Sequence, residues 1–158
     1  MDKETAVLAL AVVTVLAVLA AVYPIIPANN EPFSELGVLG QAQKIGGYPT
    51  TVAVGQHFTL FVYVGNHEGR AEYYQVLVKE GDQATVVTNS TSANLSPVLT
   101  SSLILEDNSS SIFPASLVMS APGLSQRLIF ELWMFNSTTT SFTYTGLWNQ
   151  IWLNVTSG

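Results

Sequence analysis

The chain has 158 residues, of which 48% are hydrophobic and only 10% charged; an ordinary soluble domain carries about 25% charge. Net charge is −6, and five Lys plus Arg cannot build the broad basic patch that nucleic-acid binding needs. Cysteine is absent, which excludes disulfide scaffolds and Cys-ligated metal centres, and the hydrophobicity excludes a disordered chain.

Residues 1–5 are a short polar tail. From Ala6 to Val22 there is no charge and a single polar side chain, Thr14. Tyr23, Pro24, Ile25 and Ile26 extend the run, so residues 6–26 would span about 31 Å as a helix, enough to cross a hydrocarbon core of about 30 Å. Lipid offers no partners for backbone N–H and C=O, so a helix is the expected form. Tyr23 stands where an interfacial aromatic anchor belongs, and Pro24 and Pro27 stop the helix. Lys3 precedes the run and no Lys or Arg follows until Lys44, which places the N-terminus in the cytoplasm and the remainder outside. A cleaved signal peptide is the rival reading, with Val18-Leu19-Ala20 as its cleavage triplet. The run exceeds the apolar length of about 7–15 residues usual in signal peptides, so a retained anchor is expected. The helix also carries Ala9, Val13, Ala17 and Ala21 at four-residue spacing. Small residues permit close helix packing in lipid, although an Ala/Val/Leu-rich helix shows such a stripe by composition alone.

Residues 27–32 form a Pro/Asn linker, and residues 33–158 read as a β-domain. Phe33–Leu39 is a first strand, Gly46–Pro49 a turn, and Thr51–Val54 a short strand. In Phe58–Val64, Phe58, Leu60, Val62 and Val64 share a face. Asn66–Gly69 is a tight connection, after which Tyr73–Lys79 pairs back as a hairpin with Tyr74, Val76 and Val78 on one face. Ala84–Val87 is a further strand candidate. A polar stretch, Thr88–Ser111, is broken by Leu99 and by Leu103 to Leu105. Phe113–Met119 follows, and its Pro114 suits an edge strand. Arg127–Phe135, apolar on both faces, suits a sheet centre. Asn136–Thr140 turns the chain into a closing strand, Leu147–Val155. The expected fold is an all-β immunoglobulin-like sandwich with one N-terminal transmembrane α-helix.

Five segments fit the Asn-x-Ser/Thr glycosylation pattern, at Asn89, Asn94, Asn108, Asn136 and Asn154. With nine Asn and about one residue in five Ser or Thr, chance supplies about two such sequons. The excess points to a glycoprotein carrying N-linked glycans. Pro97 close behind makes Asn94 the weakest of the five.

Catalytic chemistry has little to work with. His57 and His67 are the only imidazoles. His67 and Glu68 could ligate a metal or form an acid/base pair, but turn residues more often bond their own backbone. Glu106-Asp107 could bind calcium or act as acids, though two carboxylates alone are usually solvated loop. Trp133, Trp148 and Trp152 read as core packing rather than a sugar platform. No nucleophile elbow, phosphate loop or dinucleotide fingerprint is present. No catalytic, cofactor or metal site is expected.

Phe33-Ser-Glu-Leu-Gly-Val-Leu-Gly40, Lys44-Ile-Gly-Gly-Tyr-Pro-Thr50, Val54-Gly55, Tyr63-Val-Gly-Asn-His-Glu-Gly69 and Tyr73-Tyr74 resemble, in order, an archaeal family of membrane-associated proteins, the uncharacterised domain family sixteen-sixteen. Leu128–Phe135 and Leu147–Val155 resemble its closing strands. Gly40-Gln-Ala-Gln-Lys44 stands where that family has a Gly-Pro-Asn-Gly-Lys turn, and many relatives have several membrane helices. The resemblance implies an archaeal cell-surface protein and supplies no catalytic residues. The expected function is a membrane-anchored surface glycoprotein. Its sandwich would be a binding or structural module for surface-layer, filament or neighbouring membrane proteins. The alternative is a single-pass accessory subunit of a membrane enzyme complex of the respiratory-oxidase type. Expected partners are membrane lipid, an envelope or membrane protein and N-linked glycans, with no nucleic acid.

Overall fold

A computed structural model describes residues 31–158 together with Thr14 and Leu16, both helical. The expected membrane helix, residues 6–26, otherwise lies outside the described residues, as do most of the tail and linker. Among the described residues no helix is long and apolar enough to cross a membrane.

Residues 32–158 form one compact unit of eight strands: β1 (Phe33–Leu39), β2 (Thr51–Ala53), β3 (His57–His67), β4 (Glu72–Gly81), β5 (Pro97–Leu105), β6 (Ser109–Val118), β7 (Gly123–Asn136) and β8 (Ser141–Thr156). They make two sheets, ordered β1-β3-β6 and β2-β8-β7-β4-β5. Every pairing is antiparallel except β2 with β8, which is parallel. The unit is thus an all-β sandwich.

Alternation along the strands explains the layers. Val38, Leu60, Val62, Val64, Ala115 and Leu117 point inward from the three-stranded sheet. Tyr74, Val76, Val78, Leu128, Phe130, Leu132, Ile151, Leu153 and Val155 meet them from the other. Burying a side chain of this kind is worth about 1.5–3 kcal/mol, so this interior is the main source of stability. Asn149 Nδ2 also donates across the interior to Leu36 O at 2.8 Å.

The expected β3–β4 hairpin is corrected. Both flanks of β3 are taken, by β1 and β6, and β4 lies in the other sheet between β7 and β5. Leu60-Val62-Val64 and Tyr74-Val76-Val78 therefore face each other across the interior instead of lying side by side. Alternating patterns are the same in both arrangements. The expected strand Ala84–Val87 is also absent, being irregular chain. Conversely, the polar stretch Thr88–Ser111 contains all of β5 and the start of β6. β5 is an edge strand, so its outward Thr100 and Ser102 face water while Leu99, Leu103 and Leu105 pack inward.

Pro114 lies on β6, an edge as expected. β7 lies at the centre of its sheet, with Arg127 through Leu132 all buried. The turn after β1 closes through Gly40 N–H to Lys44 O and Gln43 N–H to Gly40 O, both 2.9 Å. Gln43 takes φ 55° there, a left-handed conformation that glycine would adopt without strain.

Candidate functional site

Two polar constructions organise the surface of the sandwich. The first lies on the outer face of the five-stranded sheet. Lys79 on β4 and Glu131 on β7 both point outward, yet Glu131 is 0% and Lys79 4% exposed, because the segment from Asp82 to Ser96 folds back over them. Lys79 Nζ meets Glu131 Oε2 at 2.8 Å. The same ammonium donates to Ala93 O at 2.7 Å, and Ala93 N–H donates to Glu131 Oε1 at 2.6 Å. One ion pair thus grips both backbone groups of a single loop residue. Trp133 Nε1 donates to Glu131 Oε2 at 3.0 Å and its ring lies 5.8 Å from Lys79 Nζ. Val87, Ala93 and Ile129 form a small apolar cluster beneath the loop, with Trp148 against it.

Arg127 continues the face. Its guanidinium lies 5.5 Å from the Trp148 ring and 5.3 Å from the Trp152 ring. It donates to Gln150 and, at 2.6 Å, to Thr85 O. Trp133, Trp148 and Trp152 are therefore not part of the packing between the sheets, which corrects the expectation from sequence that they are core residues. They stand on the outer face, where cation–π contacts and the covering loop hold them.

Tyr144 belongs to the same face and donates to Thr88 O at 2.9 Å. Burial, reinforced by the Glu131 charge, pushes its phenol up to about 12. The folded value lies above the ordinary one near 10. The stability held by the neutral phenol is thus complete below about pH 10 and lost as pH rises through about 12. Alkaline spectrophotometric titration should show a late-ionising phenol near pH 12 that Tyr144→Phe removes. Survival of that component in the variant would contradict the assignment.

The second construction closes the end of the sandwich where β1 begins. Asn66 is buried and makes five hydrogen bonds. Its Nδ2 donates to Arg70 O at 2.8 Å, Leu105 O at 2.8 Å and Glu106 O at 3.1 Å. Its Oδ1 accepts from Glu68 N–H at 3.0 Å and Tyr74 O–H at 3.2 Å. Ser34 Oγ lies 2.8 Å from the Tyr74 hydroxyl and donates to Glu68 Oε1 at 2.6 Å. Burial pushes the Tyr74 phenol upward, so it stays neutral and able to donate. A groove of about 330 Å³ opens beside this network, with Phe33, Glu68, Met134, Tyr144 and Leu147 in its walls. Ser34 reaches Asn66 through the Tyr74 hydroxyl and Glu68 reaches it through its backbone N–H, so the network ties β1, β4 and the Asn66–Arg70 turn together beside the groove.

The sequence candidates take up these places. His67 and Glu68 diverge: the His67 ring stacks on Phe33 at 4.5 Å, with Nδ1 3.1 Å from Asn108 Oδ1 and Nε2 3.5 Å from Glu35 Oε2. Asp107 Oδ1 accepts from Gly69 N–H at 2.9 Å, joining two turns, while Glu106 contributes its backbone carbonyl to Asn66. Among the described residues no three His, Asp or Glu side chains gather as a metal site. Asn89, Asn94, Asn108, Asn136 and Asn154 are all exposed. Sequence reasoning missed Lys79, Glu131 and Asn66. A signal existed for Glu131, the one charge inside an otherwise apolar β7 run; a buried charge demands a partner.

Fold and surface together define a two-sheet β-sandwich domain with one outer face capped by a clamped loop. The chain belongs to the family described as "Domain of unknown function (DUF1616)", whose model matches residues 27–154. No curated protein is significantly similar in sequence. Among solved structures, the chain is similar to the CARDB domain of a Pyrococcus furiosus protein in complex with di-metal ions. Identity is 12% and TM-score 0.49, over 79% of this chain and 89% of that one. It is also similar to a Listeria innocua β-glucosidase in complex with glucose, at 12% identity and TM-score 0.48. That likeness covers 81% of this chain but 16% of the glucosidase. Spo0M, a sporulation control protein from Bacillus subtilis, gives 8% identity and TM-score 0.44 over 79% of this chain and 50% of that one.

Proposed function

We propose that the chain is a membrane-anchored archaeal cell-surface glycoprotein whose sandwich is a binding or structural module for another envelope or membrane protein. The strand order supports an immunoglobulin-like module: the chain crosses from β1 to β2, which runs parallel with β8, and β2–β3, β3–β4, β5–β6 and β6–β7 also cross between layers.

The observation that carries the proposal is the segregation of the sequons. Asn89 and Asn94 lie in the clamped loop, Asn154 on the outer face of β8, and Asn108 and Asn136 at turns. Only Asn108 reaches the rim of the outer face of β1-β3-β6, where its Oδ1 lies 3.1 Å from His67 Nδ1; none of the other four projects from it. That face holds Leu39, Phe61 and Pro114 in one cross-strand row and Tyr63 and Ile112 in the next. Ile112 is 46% exposed. An apolar band with glycan acceptors kept to its rim, on a chain poor in charge, suits contact with protein.

The test is to solubilise the native protein in mild detergent and identify what co-purifies, for the wild type and for Ile112→Glu. An envelope protein retained by the wild type and lost with the variant is expected. Redox subunits at fixed stoichiometry would overturn the reading in favour of an enzyme-complex subunit, and recovery with no partner would also contradict it.

A further inference from the structure

The last turn of sequence in β8, Trp152-Leu-Asn-Val-Thr156, places three side chains on one face. Leu153 and Val155 are buried in the core, while Trp152, Asn154 and Thr156 point outward. Successive outward residues on a strand stand about 7 Å apart, roughly the width of a sugar ring. The acceptor asparagine and the hydroxyl of its sequon therefore share one face with an aromatic ring two residues before them.

The surroundings suit a sugar. Trp152 is 40% exposed although Arg127 stacks beside it, so an indole surface stands open on the face that carries Asn154. Ser125 N–H donates to Asn154 Oδ1 at 3.0 Å. That bond orients the amide and leaves Nδ2 without a hydrogen-bond partner among the described residues. Asn108, by contrast, spends its Nδ2 on Asp107 Oδ2 at 2.8 Å. Beside Ser125, Leu124 is 82% exposed, adding apolar surface next to the acceptor. The C–H face of a pyranose is apolar and complements an indole, whose ring face is electron-rich.

We propose that Asn154 is an N-glycosylation site whose first sugar packs on the Trp152 ring. This rests on the glycoprotein reading above. The donor is a lipid-linked sugar activated as a phosphate or diphosphate ester. Asn154 Nδ2 bonds to the anomeric carbon, the anomeric C–O bond to the donor phosphate breaks, the phosphate leaves with the electron pair, and Nδ2 gives up one proton. Trp152 acts by positioning: its ring receives the sugar over Asn154 Nδ2 as it is transferred and holds it afterwards, and the indole itself forms and breaks no bond.

Glycopeptide mapping of the full chain, purified from its native cells, tests the site. The wild type should carry glycan at Asn154. Trp152→Ala should lower occupancy there at least threefold, with Asn89 and Asn136 unchanged as internal controls for folding and export. Trp152→Phe, which keeps a ring, should retain occupancy. On the wild-type glycoprotein, nuclear Overhauser contacts between indole and sugar protons should appear, a readout that needs no variant. Bare Asn154 beside other occupied sequons would overturn this inference and leave the glycoprotein reading standing. Equal occupancy in Trp152→Ala, or absent indole–sugar contacts, would overturn the role of the ring. Bare asparagine at all five positions would overturn both readings.

Discussion

Glu131→Ala should destabilise the full chain by about 3–5 kcal/mol, the cost of leaving one member of a buried ion pair alone. Lys79 would then sit buried with its charge facing only Ala93 O and the Trp133 ring, and Ala93 N–H would lose its acceptor. Glu131→Gln keeps the shape and an oxygen for Ala93 N–H, so a smaller loss is expected. The double change Lys79→Met with Glu131→Leu removes both charges together. It should recover much of the loss, because well-packed apolar replacements of buried pairs are often neutral. Urea unfolding in detergent measures all three, and a Glu131→Ala loss below about 1 kcal/mol would contradict the clamp. The loop supplies an independent readout. In the double variant, with both backbone bonds of Ala93 gone, limited proteolysis should cut between Asp82 and Ser96 before anywhere else in the sandwich, since cleavage follows local opening. Unchanged cleavage would show that the small cluster of Val87, Ala93 and Ile129 holds the loop without the charges.

Asn66→Ala carries the second large effect. Three carbonyls and one N–H would lose the Asn66 amide at once, and the Tyr74 hydroxyl would keep only Ser34 Oγ. An unsatisfied buried group costs about 1–3 kcal/mol. Water reaching the cavity would offset part of this, leaving an expected loss of about 3 kcal/mol. Asn66→Asp tests the mechanism through its sign. The variant carboxylate would face three carbonyl oxygens in a buried site, which favours its neutral form and raises its pKa on folding. Its destabilisation should therefore be smallest below about pH 4, the unfolded value, and should deepen as pH rises through the raised folded value. A pH-independent penalty between pH 3 and 7 would contradict the arrangement around Asn66.

The two constructions differ in how far the sequence reveals them. β1, β3, β7 and β8 were legible because each buries an alternating or continuous apolar run, and burial is what residue pattern reports. β5 was not, because an edge strand exposed on one side needs few apolar residues, and its Leu99, Leu103 and Leu105 lie among Ser and Thr. The β3–β4 connection was misread for a different reason. Asn66–Gly69 has turn chemistry in either topology, and only the tertiary bonds of Asn66 show that the turn carries the chain between sheets. The three tryptophans look like core residues on core strands. They reach the outer face because the parity of β7 and β8 gives the inside to Leu128, Phe130, Leu132, Ile151 and Leu153. The sequons were fully legible as pattern, whereas their placement was not: Asn89, Asn94 and Asn154 lie on the side of the five-stranded sheet, and the opposite outer face has only Asn108 at its rim. The low charge fits this arrangement. Exposed Ser, Thr and Asn stand where a soluble domain usually carries Lys and Glu.

Protease added to intact native cells tests the central claim most directly, with the chain followed by an antibody against residues 141–158. A sandwich displayed outside a membrane anchor predicts that the epitope is lost from intact cells and that the undigested chain stays with washed membranes. Protection of the epitope until the cells are broken, or release of the intact chain into the soluble fraction, would contradict it.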